Sequence, residues 1–372
     1  MKITGKWLRA PGTQEVFARL SMYQAYAVGG CVRNDLLGVA VHDVDIATSA
    51  TPQQVVAACN GLKVVPTGID HGTVTVIADG TPHEITTFRR DVETDGRRAT
   101  VAFGTDIAED AARRDFTMNA LYACAAGEVI DPLGGLPDLR TRHVRFIGTP
   151  QARIREDYLR ILRFFRFTAL YGDSLDADGL AACAELGEGL IGLSRERVGH
   201  EVRKLLAAPN PAPAVAAMAQ AGLLQRILPG ADTRALAPFV HLETTPDWTV
   251  RLAALGGDTS GLRLSKAEAK RIAQLRDAAT STQSPFALGY ELGVQDGLHA
   301  LTLRAALLEQ PMATDGLTEG AAATFPIRPA DLAPLTGPQL GAALATARAQ
   351  WLASGGTLDT RALLNGLDTP DQ

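Results

Sequence analysis

Two aspartates one residue apart, Asp43 and Asp45, follow a glycine pair and an arginine, Gly29, Gly30 and Arg33. Glycines carry no Cβ, so successive backbone N–H groups there can approach phosphate oxygens, and Arg33 is close enough in sequence to reach the same anion. The aspartates fall in a segment that alternates Val41, Asp43 and Asp45 against His42, Val44 and Ile46. In a strand both carboxylates would leave one face, the arrangement two divalent cations need. Either piece alone reads equally well as a turn or a solvated acid pair. Their order and spacing together point to metal-assisted nucleotidyl transfer.

Two more clusters carry polar chemistry. Asp95-Gly96-Arg97-Arg98 and Arg113-Arg114-Asp115-Phe116-Thr117-Met118-Asn119 set double arginines beside carboxylate and amide groups. Planar guanidinium groups suit triphosphate oxygens, and Asp115 and Asn119 could fix a ribose hydroxyl or orient the arginines. Further on, Ile154, Tyr158, Ile161, Leu162 and Phe165 form an apolar stripe at helical spacing. That spacing predicts one helix in which Asp157 and Arg160 are neighbours a turn apart on another face. By itself such a pair is ordinarily a surface ion pair worth a few tenths of a kcal/mol.

The elements that must position these groups follow from the pattern of the chain. Residues 1–145 mix strand and short-helix signals, and Val64 to Arg90 alternates around Asp79-Gly80, which predicts paired strands. The charged segment Arg90 to Arg98 reads as a mobile loop. After Asp131-Pro132-Leu133-Gly134-Gly135 the periodicity turns helical, with breaks at Pro209–Pro213, Gly256–Asp258, Gln283–Pro285 and Phe325–Pro329. The expected fold class is α+β, with a head over 1–145, a helical neck over 146–210, a body over 211–290 and a tail over 291–372.

At 372 residues, 46% hydrophobic, the chain is long enough for more than one core. A net charge of −5 argues against a protein that coats nucleic acid non-specifically, so any polyanion site must be local. Eight arginines between Arg140 and Arg166, opposed only by Glu156 and Asp157, offer one. Cys31, Cys59, Cys124 and Cys183 are scattered without metal-ligand spacing and suit a reducing compartment. With neither a secretory segment nor a spanning apolar run, the expectation is a cytoplasmic protein without membrane or obligate protein partner.

The ordered set GGxVR…DxD, TGxxHGTVTV, ExTTFR, DGRR, RRDFTxNAL, DPxGGxxDL, EDxxRxxR and SRERV, over about residues 25–205, resembles the bacterial-type, second-class tRNA nucleotidyltransferases. These are the CCA-adding enzymes of the DNA polymerase β superfamily, close to the poly(A) polymerases. The resemblance implies a polymerase-β-like head and template-independent addition of CCA to the tRNA 3′ end from CTP and ATP with Mg²⁺. It implies that Gly29, Gly30 and Arg33 hold triphosphate, that Asp43 and Asp45 ligate metal, and that Arg114, Asp115 and Asn119 contact sugar and phosphate. Asp157 and Arg160 would read the base, with Arg163 on the same helix also binding nucleotide and Ser194 to Arg197 as a buttress. Glu84 is the candidate for a third metal carboxylate. The family usually has Asp directly after the first-motif arginine, where this chain has Asn34.

Poly(A) polymerases share the head but characteristically carry a GRRFRLVHV-like stretch where this chain has Thr67 to Val76 and the loop beyond it. An enzyme adding only CC or only A is a closer variant. A phosphohydrolase appendage is not expected, because His200, His241 and His299 have no adjacent Asp.

Overall fold

The computed structural model describes residues 1–69, 72–95 and 98–367. Asp70 and His71 of the TGxxHGTVTV motif and Gly96 and Arg97 of the DGRR motif lie outside them. The chain divides into two compact units, Met1–Glu201 with Gln220–Arg226, and Val202–Ala219 with Ile227–Gln372.

The first unit is built on a seven-stranded sheet. Its strands are β1 (Ala25–Val28), β2 (Val44–Thr48), β3 (Lys63–Gly68), β4 (Thr73–Ala78), β5 (Thr81–Thr87), β8 (Tyr122–Ala123) and β9 (Val129–Ile130). They lie in the order β3-β4-β5-β2-β1-β8-β9. The alternating segment forms the β4–β5 hairpin, with Val74, Val76 and Ile85 buried. Asp79 and Gly80 both have positive φ, as a two-residue type I′ turn requires. β2 runs parallel to β5 in a register that sets Asp45 opposite Glu84. Val44 and Ile46 are buried on the core face, so Asp45 leaves the other one. Asp43 precedes the strand and is exposed.

Two expectations are corrected. Arg90 to Asp95 is no loop: β6 (Arg89–Asp95) pairs antiparallel with β7 (Arg98–Phe103) as a two-stranded ribbon. The β-branched Val92, Thr94, Thr100 and Val101 favour extended backbone more strongly than the intervening charges oppose it. An irregularity between Asp91 and Glu93 shifts the register, as an extra residue does. The predicted single neck helix is two, Pro150–Glu156 and Leu159–Tyr171. Asp157 lies between them in extended conformation, and its Oδ1 accepts a hydrogen bond from the Leu159 N–H. A short acid that bonds the next helix's backbone competes with helix continuation, which is why the periodic stripe carries through a break.

Phenylalanines fasten the neck to the RRDF segment. Phe116 is fully buried, with ring centroids 4.9 Å from Phe146 and 5.1 Å from Phe167, and Phe146 stacks on Phe164 at 5.5 Å.

The second unit is helical, and the expected breaks fall between its helices. Helix Trp248–Leu255 ends at Gly256, Lys266–Thr280 opens with a Ser265–Glu268 capping box, and Pro285–Leu308 follows. The fully buried Arg251 pairs with Glu243 and donates to the carbonyls of Leu206 and Ala208, satisfying the C-terminal end of helix Arg195–Leu206. The tail packs through Trp351 against Phe286, Tyr290 and Phe325. Among the described residues no helix is long and apolar enough to cross a membrane.

Gly135 tests the support beneath the RRDFTMN segment. A Cβ there would lie 2.3 Å from the Thr117 carbonyl oxygen, so Gly135→Ala has to displace the turn that carries Asn119. The expected loss is roughly 1–3 kcal/mol, read from the urea midpoint. An unchanged midpoint would mean that this turn yields freely.

Candidate active site

The N-terminal edge of the site is a strand-to-helix turn. β1 ends at Val28, Gly29 turns the chain at φ 70°, and helix Gly30–Leu37 begins. A Cβ on Gly29 would sit 3.5 Å from Arg114 Nη1, and one on Gly30 3.9 Å from Arg33 Nη2. Two guanidinium groups therefore lean over the glycine backbone.

Arg33 is 6% exposed. It donates to Asn119 Oδ1 at 2.5 Å, to Asn34 Oδ1 at 2.8 Å and to the Tyr171 hydroxyl at 2.9 Å, and it stacks 4.1 Å above the Tyr171 ring. Burial lowers its pKa from the ordinary arginine value. Asn119 Nδ2 donates to Asp115, which also receives two hydrogen bonds from Arg163, from Nε at 2.7 Å and Nη2 at 2.5 Å. Burial pushes the Asp115 carboxyl up, but Arg163, Asn119 and the Phe116 N–H outweigh it and hold the group below the usual range.

The predicted base-reading pair is not an i, i+3 ion pair. Asp157 is bonded to Arg197 at 2.6 Å, while Arg160 pairs with Glu156 at 2.6 Å and donates to the Arg153 carbonyl at 2.8 Å. Arg153 pairs with Glu156 from the other side and donates to the carbonyls of Arg113 and Arg114. Arg114 is held by Asp110 at 3.0 Å and by the Tyr122 hydroxyl.

These groups converge. Gly29, Gly30, Arg33, Arg114, Asp115, Asn119, Asp157, Arg160 and Arg163 all line one cleft of about 490 Å³, together with Asp45. Asp43 and Glu84 do not line it. The cleft also holds Arg89, Arg113, Arg166, Phe167 and Arg197. Arg166 is anchored by the buried Glu201 at 2.5 Å. Sequence reasoning missed Tyr171, Asp110, Tyr122 and Glu201. Tyr171 sits four residues beyond Phe167 on one helix face, a periodic signal that was available; the Arg166–Glu201 pairing has no local trace.

Residues 25–145 match the family model for the Poly A polymerase head domain, and residues 174–234 that for the probable RNA and SrmB-binding site of polymerase A. A CCA-adding enzyme of Geobacillus thermodenitrificans is 44% identical over 56% of this chain and 51% of its own length. That of Levilactobacillus brevis is 39% identical over 64% and 62%. The chain thus spans about half to three fifths of these curated relatives. The crystal structure of the Bacillus stearothermophilus CCA-adding enzyme in complex with CTP is 30% identical, covers 93% of this chain and 94% of that one, and superposes with a TM-score of 0.76. This chain belongs to the CCA-adding enzyme family. A Thermotoga maritima CCA-adding enzyme complexed with tRNA, 19% identical with a TM-score of 0.70, shares the fold.

CCA-adding enzymes are nucleotidyltransferases that generally use divalent metals. Among the described residues no three His, Cys, Asp or Glu close around a common point. The donor set nevertheless fits a hard cation. Asp45 carries a pKa pushed up to about 6, first by burial and then by the charge of Glu84, with a further contribution from Asp43. The Asp45 carboxylate, opposite Glu84 in the parallel register, is one whose repulsion a divalent charge would relieve.

The sign of that shift gives a prediction. A carboxyl whose folded pKa is raised from 3.8 to about 6 adds stability only below the unfolded value, and that stability is lost as pH rises through 6. Asp45→Asn in chelator-treated protein is expected to gain about 1–3 kcal/mol at pH 8 and almost nothing near pH 4. Thermal unfolding at both pH values checks it; an equal gain at each would mean that packing, and not charge, is responsible.

Proposed function

We propose that this protein adds CCA to the 3′ end of tRNA from CTP and ATP without a nucleic-acid template, in the cytoplasm and with Mg²⁺. The observation that carries the reading is the convergence of every candidate nucleotide-binding residue on one arginine-lined cleft that also holds Asp45. The 30% identical relative whose structure contains CTP supports it.

In this reading the Gly29 and Gly30 backbone, Arg33 and Arg114 take the triphosphate, and Asp115 and Asn119 set the arginines around it and meet the sugar. Asp43, Asp45 and Glu84 would hold the metal. Bound Mg²⁺ would supply charge neutralisation at the triphosphate and activation of the terminal ribose hydroxyl. Asp157 accepts from the exocyclic amino group of C or A, and Arg160 donates to a ring nitrogen or carbonyl. U and G present a carbonyl where that amino group would be, so Asp157 meets another acceptor and rejects them. Arg197 behind Asp157 and Glu156 behind Arg160 keep those two edges facing the base, with Arg163 beside them.

Incubating tRNA that lacks its 3′ end with CTP and ATP, separately and together, and sequencing the products tests the assignment. CC from CTP alone and CCA from both are expected. Long A tracts would favour a poly(A) polymerase, and arrest at CC or addition of A alone a partial enzyme. Asp43→Ala and Asp45→Ala should each abolish C and A addition alike, and turnover above roughly one per cent would remove the metal assignment. Asp157→Ala should cut C and A incorporation by about 5–150-fold and admit U and G, measured by competition among the four nucleotides. A fall in activity with selectivity unchanged would make the Asp157–Arg197 pair purely structural.

A further inference from the structure

The root of the β6–β7 ribbon sets an arginine and a phenylalanine side by side. Arg89 opens β6 and is the register partner of Phe103, which ends β7. Directly opposed residues of an antiparallel pair send their side chains from the same face. Gly72 shows how close the two lie, since a Cβ there would be 2.8 Å from Phe103 Cε1 and 3.7 Å from Arg89 Cδ. Both side chains run past that one bare stretch of backbone. Arg89 lines the arginine-rich cleft, and Phe103 stands next to it, outside the lining.

The Phe103 ring is 43% exposed, whereas the other phenylalanines of the first unit are buried. A single exposed apolar side chain carries no message on its own. The cross-strand partner supplies one, because an aromatic face beside a cation is the combination that holds single-stranded nucleic acid. The platform is also anchored: the Arg89 N–H donates to Asp110, which holds Arg114, and the Gly72 carbonyl accepts from the Thr87 N–H at 2.9 Å. An RNA end that delivers its last ribose hydroxyl into this cleft keeps its last base near the cleft wall, within reach of a ring that borders Arg89. That end changes identity with every addition. Every base has a π-face, so one ring serves any last nucleotide, where a hydrogen-bonding reader would serve one.

We propose that Phe103 is a stacking platform for the last base of the RNA 3′ end, a contact that holds the acceptor strand without reading its sequence. This rests on the nucleotidyl-transfer reading of the cleft. The ring then contributes to RNA affinity and not to the affinity for the incoming nucleotide.

The experiment uses the full-length protein and two RNAs, a tRNA lacking its 3′ CCA and the same tRNA with an abasic last nucleotide that keeps its ribose. Dissociation constants for both are measured with wild type, Phe103→Ala, Phe103→Leu and Phe103→Tyr, together with KM for CTP. Phe103→Ala is expected to bind the intact tRNA about 5–30-fold more weakly than wild type and the abasic one within about twofold of it. Phe103→Leu keeps apolar bulk without a π-face and should lose most of the same affinity, while Phe103→Tyr keeps the ring and should stay within about twofold of wild type. KM for CTP should move by less than about twofold in all three. An equal loss on the two RNAs, or a leucine variant that binds like wild type, would overturn the proposal, because either outcome makes Phe103 packing for the ribbon root. If Phe103→Ala does not fold, the leucine and tyrosine variants decide through the same contrast. Wild-type protein that binds neither RNA nor CTP would instead sink the nucleotidyl-transfer reading itself.

Discussion

Crowding cations is the constraint on which the rest of this site depends. Eight arginines line a cleft of about 490 Å³. Two unit charges 6 Å apart repel by roughly 3 kcal/mol at the effective dielectric of a protein surface, so such a cluster does not assemble on packing alone. Carboxylates interleave it: Asp110, Asp115, Glu156, Asp157 and Glu201 each take at least one guanidinium. Each pair costs desolvation and returns geometry, since a guanidinium held by two or more partners cannot swing away when ligand is absent. The architecture of the first unit supplies these acids from distant parts of the chain, Asp110 from the helix Ile107–Ala112 and Glu201 from the helix Arg195–Leu206.

The same pairings join what would otherwise be separate functions. Arg163 reaches from the neck helix to Asp115, Asp115 accepts from Asn119, and Asn119 accepts from Arg33 beside the glycine turn. A second route runs from Arg160 and Arg153 through Glu156 and onto the carbonyls of Arg113 and Arg114. Under the proposed assignment, the base-reading edge and the triphosphate corner are two ends of one hydrogen-bonded network. Their separation is set by the protein and does not depend on the nucleotide bringing them together.

Much of this was legible in the residues. The alternation around Asp79-Gly80 gave the β4–β5 hairpin, because a positive-φ turn and period-two burial leave few alternatives. The helical breaks were legible for the same reason, as proline and glycine act locally. What failed was competition within a segment. The stripe from Ile154 to Phe165 predicted one helix, yet the Asp157 side chain bonds the Leu159 N–H and ends the first helix there. Charges in Arg90 to Arg98 suggested a loop, while Arg89–Asp95 and Arg98–Phe103 pair as a ribbon. Site membership of Arg33, Asp45 and Asp157 could be read from motif order, but their partners could not: Tyr171 lies 138 residues from Arg33 in sequence, and only folding sets them together.

Under the proposed assignment, the break at Asp157 bears on how one pocket reads two bases. Within a continuous helix, Asp157 and Arg160 would move as one rigid face. Because Asp157 stands in extended backbone, it answers to Arg197, whereas Arg160 answers to Glu156 on the preceding helix. The two side chains therefore have separate partners, although the Arg160 N–H donates to the Asp157 carbonyl and ties their backbones together. The ribbon is connected to this machinery through its first residue: the Arg89 backbone N–H donates to Asp110, and Asp110 holds Arg114. Displacement of the ribbon at Arg89 would thus be felt first at the triphosphate side of the cleft, and only through the carbonyls of Arg113 and Arg114 at the base-reading side.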